Sequence, residues 1–378
     1  MRYLYEFIKE DLTARKMVFI GGPRQVGKTT LALGFLKNGN EEHPAYLNWD
    51  HTRAKNMLLS GELPPNEPII IFDEIHKYHD WRNLVKGIYD IEKNRRQFIV
   101  TGSARLDYYS RGGDSLQGRI FYYRLHPATY NELPLLPLKK GDLDIMIRYG
   151  GFPEPLLEQD DVFWRRWQRE RKKRVINEDL LSLEQVREIS KLDLLVDLLP
   201  ARVGSPLSIQ KIRQELKVAH ETVEKWISIL ENLYYCYRIP PYGADKIKAV
   251  KKEQKLYLWD WSLCLQRGQL LENMVASHLL KFCHFREDTL GHEMELRYLR
   301  DIEKREIDFV VLQDKKPLFA VECKAGERET SPHIKYFAQR TTIPVFYQVH
   351  FGAKNAENLA NRTRILPFSK FCQELKLP

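Results

Sequence analysis

Short, unbroken apolar runs alternate with amphipathic stretches through the first hundred residues. Met17-Val18-Phe19-Ile20 is β-prone throughout and meets Gly21 and Gly22 before a polar segment and the helix-like run Leu31 to Leu36. Ile69-Ile70-Ile71-Phe72 is a second such run, ending on Asp73-Glu74 and followed by a helical period from Trp81 to Ile91; Phe98-Ile99-Val100 is a third. Strands with no polar face are buried on both sides, and their alternation with helices predicts a parallel sheet covered on both faces. Beyond Arg119 the chain is punctuated by Pro127, Pro134, Pro137 and Gly150-Gly151-Phe152-Pro153-Glu154-Pro155, which predicts a boundary near residue 150. Phe163 to about Tyr235 reads as helical, with a helix-turn-helix unit from Ser208 to Tyr235. The last segment, from about Lys255, opens with a helix at Leu270 to Phe282; strands are expected at Glu295 to Leu299, Ile307 to Leu312, Leu318 to Cys323 and Pro344 to Val349.

The turn after the first run carries the chemistry. Gly22-Pro23-Arg24-Gln25-Val26-Gly27-Lys28-Thr29, with Thr30 behind it, matches the phosphate-loop pattern between a strand and a helix. Inward-turned amides of such a loop form an anion nest, Gly27 leaves room for close approach, Lys28 neutralises the β and γ phosphates, and the Thr29 hydroxyl is a magnesium ligand. Asp73 and Glu74 stand at the carboxyl end of the second strand, where open α/β sheets bind ligands. Asp73 is expected to hold Mg²⁺ and Glu74 to deprotonate the attacking water, the competing reading being a cap on the next helix. Ser103 closes the third strand within reach of a γ-phosphate, and Arg105, Arg111 and Arg119 are candidates for stabilising charge on the transferring group or are solvated surface arginines. ATP and Mg²⁺ are the expected cofactors.

The 378 residues exceed one compact unit and divide as 1–150, 151–245 and 246–378. Hydrophobic residues at 43% and charged residues at 29% fit a soluble globular chain. Neither a signal-peptide core nor a run of about 18 apolar residues is visible, so no membrane association and a cytoplasmic location are expected. The five cysteines are scattered without a CxxC pair, which argues against a disulfide framework or a zinc site. A net charge of +9 favours polyanionic partners, nucleic acid first, although many basic surfaces only solvate their lysines.

The strings GGPRQVGKTTL, IIIFDEIHKYHDW, FIVTGSARL, GGDSLQGRIFYYRLHPATYNEL and GGFPEPL together resemble a family of bacterial and archaeal AAA+-like ATPases with a C-terminal domain of undefined role. The resemblance spans nearly the whole chain. It implies that Ser103 acts as the first sensor and that Arg119 is the catalytic arginine, serving its own nucleotide or a neighbour's. It also implies that oligomers can form. The C-terminal segment resembles the PD-(D/E)XK, restriction-endonuclease-like fold through Glu272, Asp308 in Glu306-Ile307-Asp308-Phe309, and Glu322-Cys323-Lys324. Asp308 and Glu322 lie 14 positions apart, so a hairpin can join them. Two acids can hold Mg²⁺ against a phosphate while Lys324 activates water and Glu272 completes the shell. An acid-x-lysine triplet is equally the signature of a strand salt bridge. The fold class expected is therefore α/β: a P-loop NTPase parallel sheet, a small helical, winged-helix-like middle region, and a restriction-endonuclease-like C-terminal domain.

In the middle region Glu221, Glu224 and Lys225 give the second helix of the helix-turn-helix unit a mixed face, which suits protein packing as well as DNA. Trp164 to Arg174 holds seven cations against one acid, either a nucleic-acid surface with stacking tryptophans or a linker helix with those rings buried. The expected function is Mg-dependent ATP hydrolysis coupled to a nuclease-like domain acting on or near DNA or RNA. The alternative is a nucleotide-controlled switch that grips a partner protein through a catalytically inactive C-terminal domain. A small-molecule kinase would leave the C-terminal half unexplained.

Overall fold

The computed structural model describes residues 2–14, 16–102, 116, 118–176, 188–243, 253–326, 329–352, 356–358 and 362–378. Ser103, Arg105 and Arg111 lie outside the described residues. Two compact units are present, one built from the described residues of 1–127 with 232–234, the other from those of 128–176, 186–231 and 235–378.

The first unit runs α1 (Tyr5–Thr13), β1 (Met17–Gly21), α2 (Lys28–Leu33), β2 (Tyr46–Asn48), α3 (Thr52–Ser60), β3 (Ile69–Asp73), α4 (Trp81–Glu92), β4 (Gln97–Gly102) and β5 (Ile120–Arg124). All five strands are parallel in the order β2-β3-β4-β1-β5. The runs read as doubly covered are so: β1 is buried at every position, and β3 and β4 at all but their first. Helix α4 buries Trp81, Val85, Ile88 and Tyr89, the one-sided spacing of an amphipathic helix. The helix expected at Leu31 to Leu36 instead starts at Lys28 and ends at Leu33, since the loop delivers its last residue, Gly27, directly as the N-cap at φ 98°.

The second unit begins with α5 (Leu143–Tyr149), α6 (Pro153–Glu158), α7 (Asp161–Arg174), α8 (Ile189–Leu198), α9 (Ile209–Leu216) and α10 (His220–Asn232). An antiparallel pair, β6 (Cys236–Ile239) with β7 (Lys255–Leu258), follows. Then come α11 (Arg267–Leu290), β8 (Met294–Arg300), β9 (Glu306–Gln313), β10 (Lys316–Lys324), α12 (Pro332–Ala338), β11 (Phe346–His350), β12 (Ala356–Asn358), β13 (Thr363–Pro367) and α13 (Phe368–Glu374). Their mixed sheet has the order β12-β13-β11-β10-β9-β8. β8, β9 and β10 are antiparallel neighbours, whereas β10, β11 and β13 run parallel. Helix α11 is about twice the length expected from its apolar run, because its last turns, from His284 to Leu290, are half-buried or exposed and continue no apolar run. Between α9 and α10, Lys217 takes the left-handed conformation at φ 53° that a glycine usually fills in such a turn.

Candidate functional sites: the phosphate loop and the acid cluster

β1 ends at Gly21, and the loop leaves it with Gly22 at φ 148°, Gln25 at 61° and Gly27 at 98°. A Cβ on Gly22 would collide with the Leu125 carbonyl oxygen, so the loop crosses the end of β5 where only glycine passes. The Lys28 side chain is buried, and its ammonium donates to the Gly22 and Pro23 carbonyls at 2.9 and 2.8 Å. Arg2 secures the loop from outside, donating to Val26 O at 3.0 Å and His126 O at 2.6 Å. Nothing in the sequence around Arg2 signals this role.

Thr29 Oγ1 donates to Asp73 Oδ2 at 3.0 Å, so the loop hydroxyl and the strand carboxylate read as a magnesium pair are adjacent. Tyr46 on β2 donates to the same oxygen at 2.5 Å, and Thr101 on β4 donates to Oδ1. Thr101 is the register partner of Asp73 on β4, and Tyr46 stands two residues before its register partner Asn48 on β2. Asp73 thus accepts from three hydroxyls. Glu74 follows in the left-handed conformation at φ 54°, its N–H donating to Thr101 O at 3.1 Å. Burial pushes its carboxyl above the ordinary range and Asp73 adds to this, against the pull of Lys28. His76 lies 3.6 Å from Glu74, but burial lowers its pKa to about 4, so the ring is neutral near pH 7. Oxygen donors of this kind fit a hard divalent ion, Thr29 and Asp73 being the residues that would hold it.

Arg119 stands elsewhere. Its carbonyl accepts from the Met17 N–H at 2.9 Å at the amino ends of β1 and β5, while the phosphate loop leaves the carboxyl end of β1. Four residues of strand, about 13 Å, separate the two ends. Its guanidinium donates to Asp90 Oδ1 on α4 at 3.0 Å. Arg119 therefore does not reach the phosphate loop of its own chain.

In the second unit β9 and β10 bring Asp308 and Glu322 together, and the Cys323 N–H donates to Asp308 Oδ2 at 2.8 Å. Lys324 donates to Glu322 Oε1 at 2.6 Å. Glu272 enters from α11, taking a hydrogen bond from Tyr257 Oη at 2.7 Å. All four residues read from the sequence thus share one locality, but a fifth stands among them. Lys255, at the start of β7 and 1% exposed, places Nζ 3.5 Å from Glu272, 3.9 Å from Asp308 and in contact with Glu306. Burial opposes the charge on Lys255, yet Glu272, Asp308 and Glu306 outweigh it and raise its pKa. Burial and the Asp308 charge push Glu272 up to about 7 and Glu322 to about 8. Among the described residues no group of three or more His, Cys, Asp or Glu side chains is arranged to hold a metal ion. The metal role expected for Glu272, Asp308 and Glu322 therefore does not fit the cluster, because an ammonium stands between the carboxylates. Glu306 could have been found from its i, i+2 spacing to Asp308; Lys255 offered no such signal.

Helix α7 settles what its tryptophans do. Trp167 is buried, and Trp164 Nε1 donates to Ser262 Oγ at 3.1 Å, so neither ring is presented for base stacking. Arg171 is also buried, 3.4 Å from Asp260 and over the Phe152 ring at 4.1 Å. Arg165, Arg166, Arg169, Lys173 and Arg174 remain on the solvent side. The five cysteines are free thiols. No described helix is long and apolar enough to cross a membrane.

Comparison with known proteins divides the chain into three stretches. Residues 14–134 match the AAA domain family, while 140–272 and 267–371 match two domains of unknown function, DUF8612 and DUF4143. An uncharacterized protein of Methanocaldococcus jannaschii is 23% identical over 87% of this chain and 80% of its own length. An uncharacterized protein of Haemophilus influenzae is 22% identical over 84% and 86%. A solved structure of a RuvB variant from Thermotoga maritima overlaps 63% of this chain and 89% of its own at 18% identity and a TM-score of 0.32, too loose a likeness to bear on function. The family match and the parallel sheet together mark the first unit as an AAA-type P-loop domain.

Proposed function

We propose that the protein binds and hydrolyses ATP with Mg²⁺ at the Gly22–Thr29 loop, and that its nucleotide state controls the second unit. The observation that carries this reading is the meeting of Thr29 with Asp73, beside Glu74, at the carboxyl edge of a parallel sheet. Loop amides and Lys28 neutralise the phosphates, and bound Mg²⁺ supplies further charge neutralisation at the β and γ oxygens. Glu74 takes the proton from the attacking water as the water oxygen bonds to the γ-phosphorus and ADP leaves. Its raised pKa makes it a stronger base than an ordinary carboxylate. Steady-state phosphate release with Lys28→Ala and Glu74→Gln tests this: loss of binding in the first and loss of turnover with binding kept in the second are expected. Unchanged turnover in either would refute it.

Since Arg119 lies at the far end of the sheet from its own loop, its catalytic role requires the nucleotide of a neighbouring copy. Mixing Lys28→Ala with Arg119→Ala chains should then restore part of the turnover that each lacks alone.

For the second unit, the observation of Lys255 among the acids favours gripping a partner over cutting nucleic acid. The αβββαβ succession from α11 to β11 supports the nuclease-like fold, and a fold of this kind can be kept without its activity. The partner is a protein or a nucleic acid, the latter supported by the arginine-rich solvent face of α7. Pull-down in ADP and ATP-analogue states distinguishes a switch from a constitutive binder, and a steep loss of binding with salt marks a nucleic acid.

A further inference from the structure

We propose that Lys255 is the built-in cation of the acid cluster, so that the C-terminal unit excludes a divalent metal as it stands and acquires a site for one when Lys255 is removed. This refines the second reading above and is independent of the ATP site.

Several features converge. The four carboxylates of Glu272, Glu306, Asp308 and Glu322 come from three elements, α11, β9 and β10. Such a concentration of negative charge in a partly buried place needs compensation. Lys324 supplies it at one end, on Glu322, and Arg300 reaches Glu306 from the rim at 3.4 Å. The centre belongs to Lys255, whose ammonium meets three of the four acids and lies 5.4 Å from the centre of the Tyr298 ring. That ammonium is not a passing surface group. β7, which carries it, is fixed to α11 by the Asn273 side chain, which bonds the Leu258 N–H at 2.8 Å and its carbonyl at 2.7 Å. Tyr257 on the same strand donates to Glu272, so the strand that brings the lysine also satisfies the acid beside it.

A divalent ion and this ammonium compete for the same oxygens. Mg²⁺ and Mn²⁺ take oxygen ligands at about 2.1 Å and exclude a second cation from their centre. Displacing Lys255 would leave its charge buried against the ion, because the side chain is 1% exposed where it stands. With a neutral side chain of similar length at 255, the acids lose their counter-charge and gain room. One oxygen is already available, since the buried Glu322 Oε2 has no hydrogen-bond partner.

The test counts bound Mn²⁺ by its electron paramagnetic resonance signal, without ATP, in the full chain carrying Thr29→Ala and Asp73→Asn so that the phosphate-loop site is disabled. With Lys255 intact, no uptake that depends on Asp308 is expected. Adding Lys255→Met should create uptake of about one Mn²⁺ per chain, which Asp308→Asn then abolishes. The proposal is overturned if the Lys255-intact chain takes up Mn²⁺ and loses it on Asp308→Asn, a comparison that does not require the Lys255 variant to fold. It is equally overturned if folded Lys255→Met chain gains no Mn²⁺.

Discussion

The protein contains two places where acids and a lysine meet, and the lysine goes to different partners in each. At the phosphate loop Lys28 donates to the Gly22 and Pro23 carbonyls, while the Asp73 carboxylate accepts from the hydroxyls of Thr29, Tyr46 and Thr101. In the acid cluster Lys255 sits on Glu272, Glu306 and Asp308 directly. Hydroxyls orient a carboxylate without bringing a positive charge to it, which suits the metal role proposed for Asp73. An ammonium offsets such charge, and Lys255 occupies the oxygens that a divalent ion would need. Acid-plus-lysine composition is therefore a poor guide to metal chemistry; where the ammonium lands decides it.

The largest effects should come from the first site. Lys28→Ala is expected to lower ATP turnover by about 10²–10³-fold, as loss of a preorganised charge does, and to abolish the calorimetric signal for Mg·ATP. Glu74→Gln should cost about 10²–10⁴-fold with affinity retained. Because burial raises the Glu74 pKa, turnover should decline with acidification from a higher pH than an ordinary carboxylate would give, and a pH–rate profile checks this.

At the second site Lys255→Met should destabilise the chain by about 3 kcal/mol, the lower end for breaking a buried pair because its acids are partly exposed. Adding Asp308→Asn in the same chain should recover part of that loss. Denaturant melts of the two singles and the double measure the coupling, and strict additivity would mean that Lys255 does not compensate these acids.

Gly22→Ala should cost about 1–3 kcal/mol through its collision with Leu125 O and should weaken ATP binding, whereas Gly118, at φ 74° with nothing within 4 Å of an added Cβ, gives a control that carries positive-φ strain without a collision. The smallest effect concerns His278, whose Nδ1 lies 2.8 Å from Met274 O and whose Nε2 lies 3.0 Å from the Tyr130 N. The neutral ring satisfies both, donating to the first and accepting from the second. Burial lowers its pKa from 6.5 to about 3. The unfolded chain therefore takes up a proton that the folded one refuses. The stability this gives is present above pH 6.5 and is lost as pH falls toward 3. His278→Gln should flatten that part of the stability–pH curve.

Much of the first unit was legible because each of its signals is local. An apolar run such as Ile69–Phe72 can only be a buried strand in this context, and the spacing of Gly22, Gly27, Lys28 and Thr29 is contiguous. The supports of the site were not legible. Tyr46 and Arg2 come from other segments, and only the parallel register and the folding back of the N-terminus bring them in. The acid cluster shows the same limit more sharply. Glu272, Asp308, Glu322 and Lys324 were visible as types in a pattern, but the residue that decides their chemistry lies 17 positions before Glu272, on a strand of a different sheet. Arg119 was visible as a type, but which nucleotide it could serve was not, since only the parallel pairing of β5 with β1 puts it at the opposite end of the sheet from its own loop.

The central claim, that one acid site accepts a divalent ion with nucleotide and the other accepts none, is tested most directly by titrating Mn²⁺ into the wild-type chain with and without ATP and following the free-ion resonance. Uptake of about one Mn²⁺ per chain only when ATP is present, lost with Asp73→Asn and unaffected by Asp308→Asn, is the result predicted. Uptake without ATP that disappears with Asp308→Asn would contradict it.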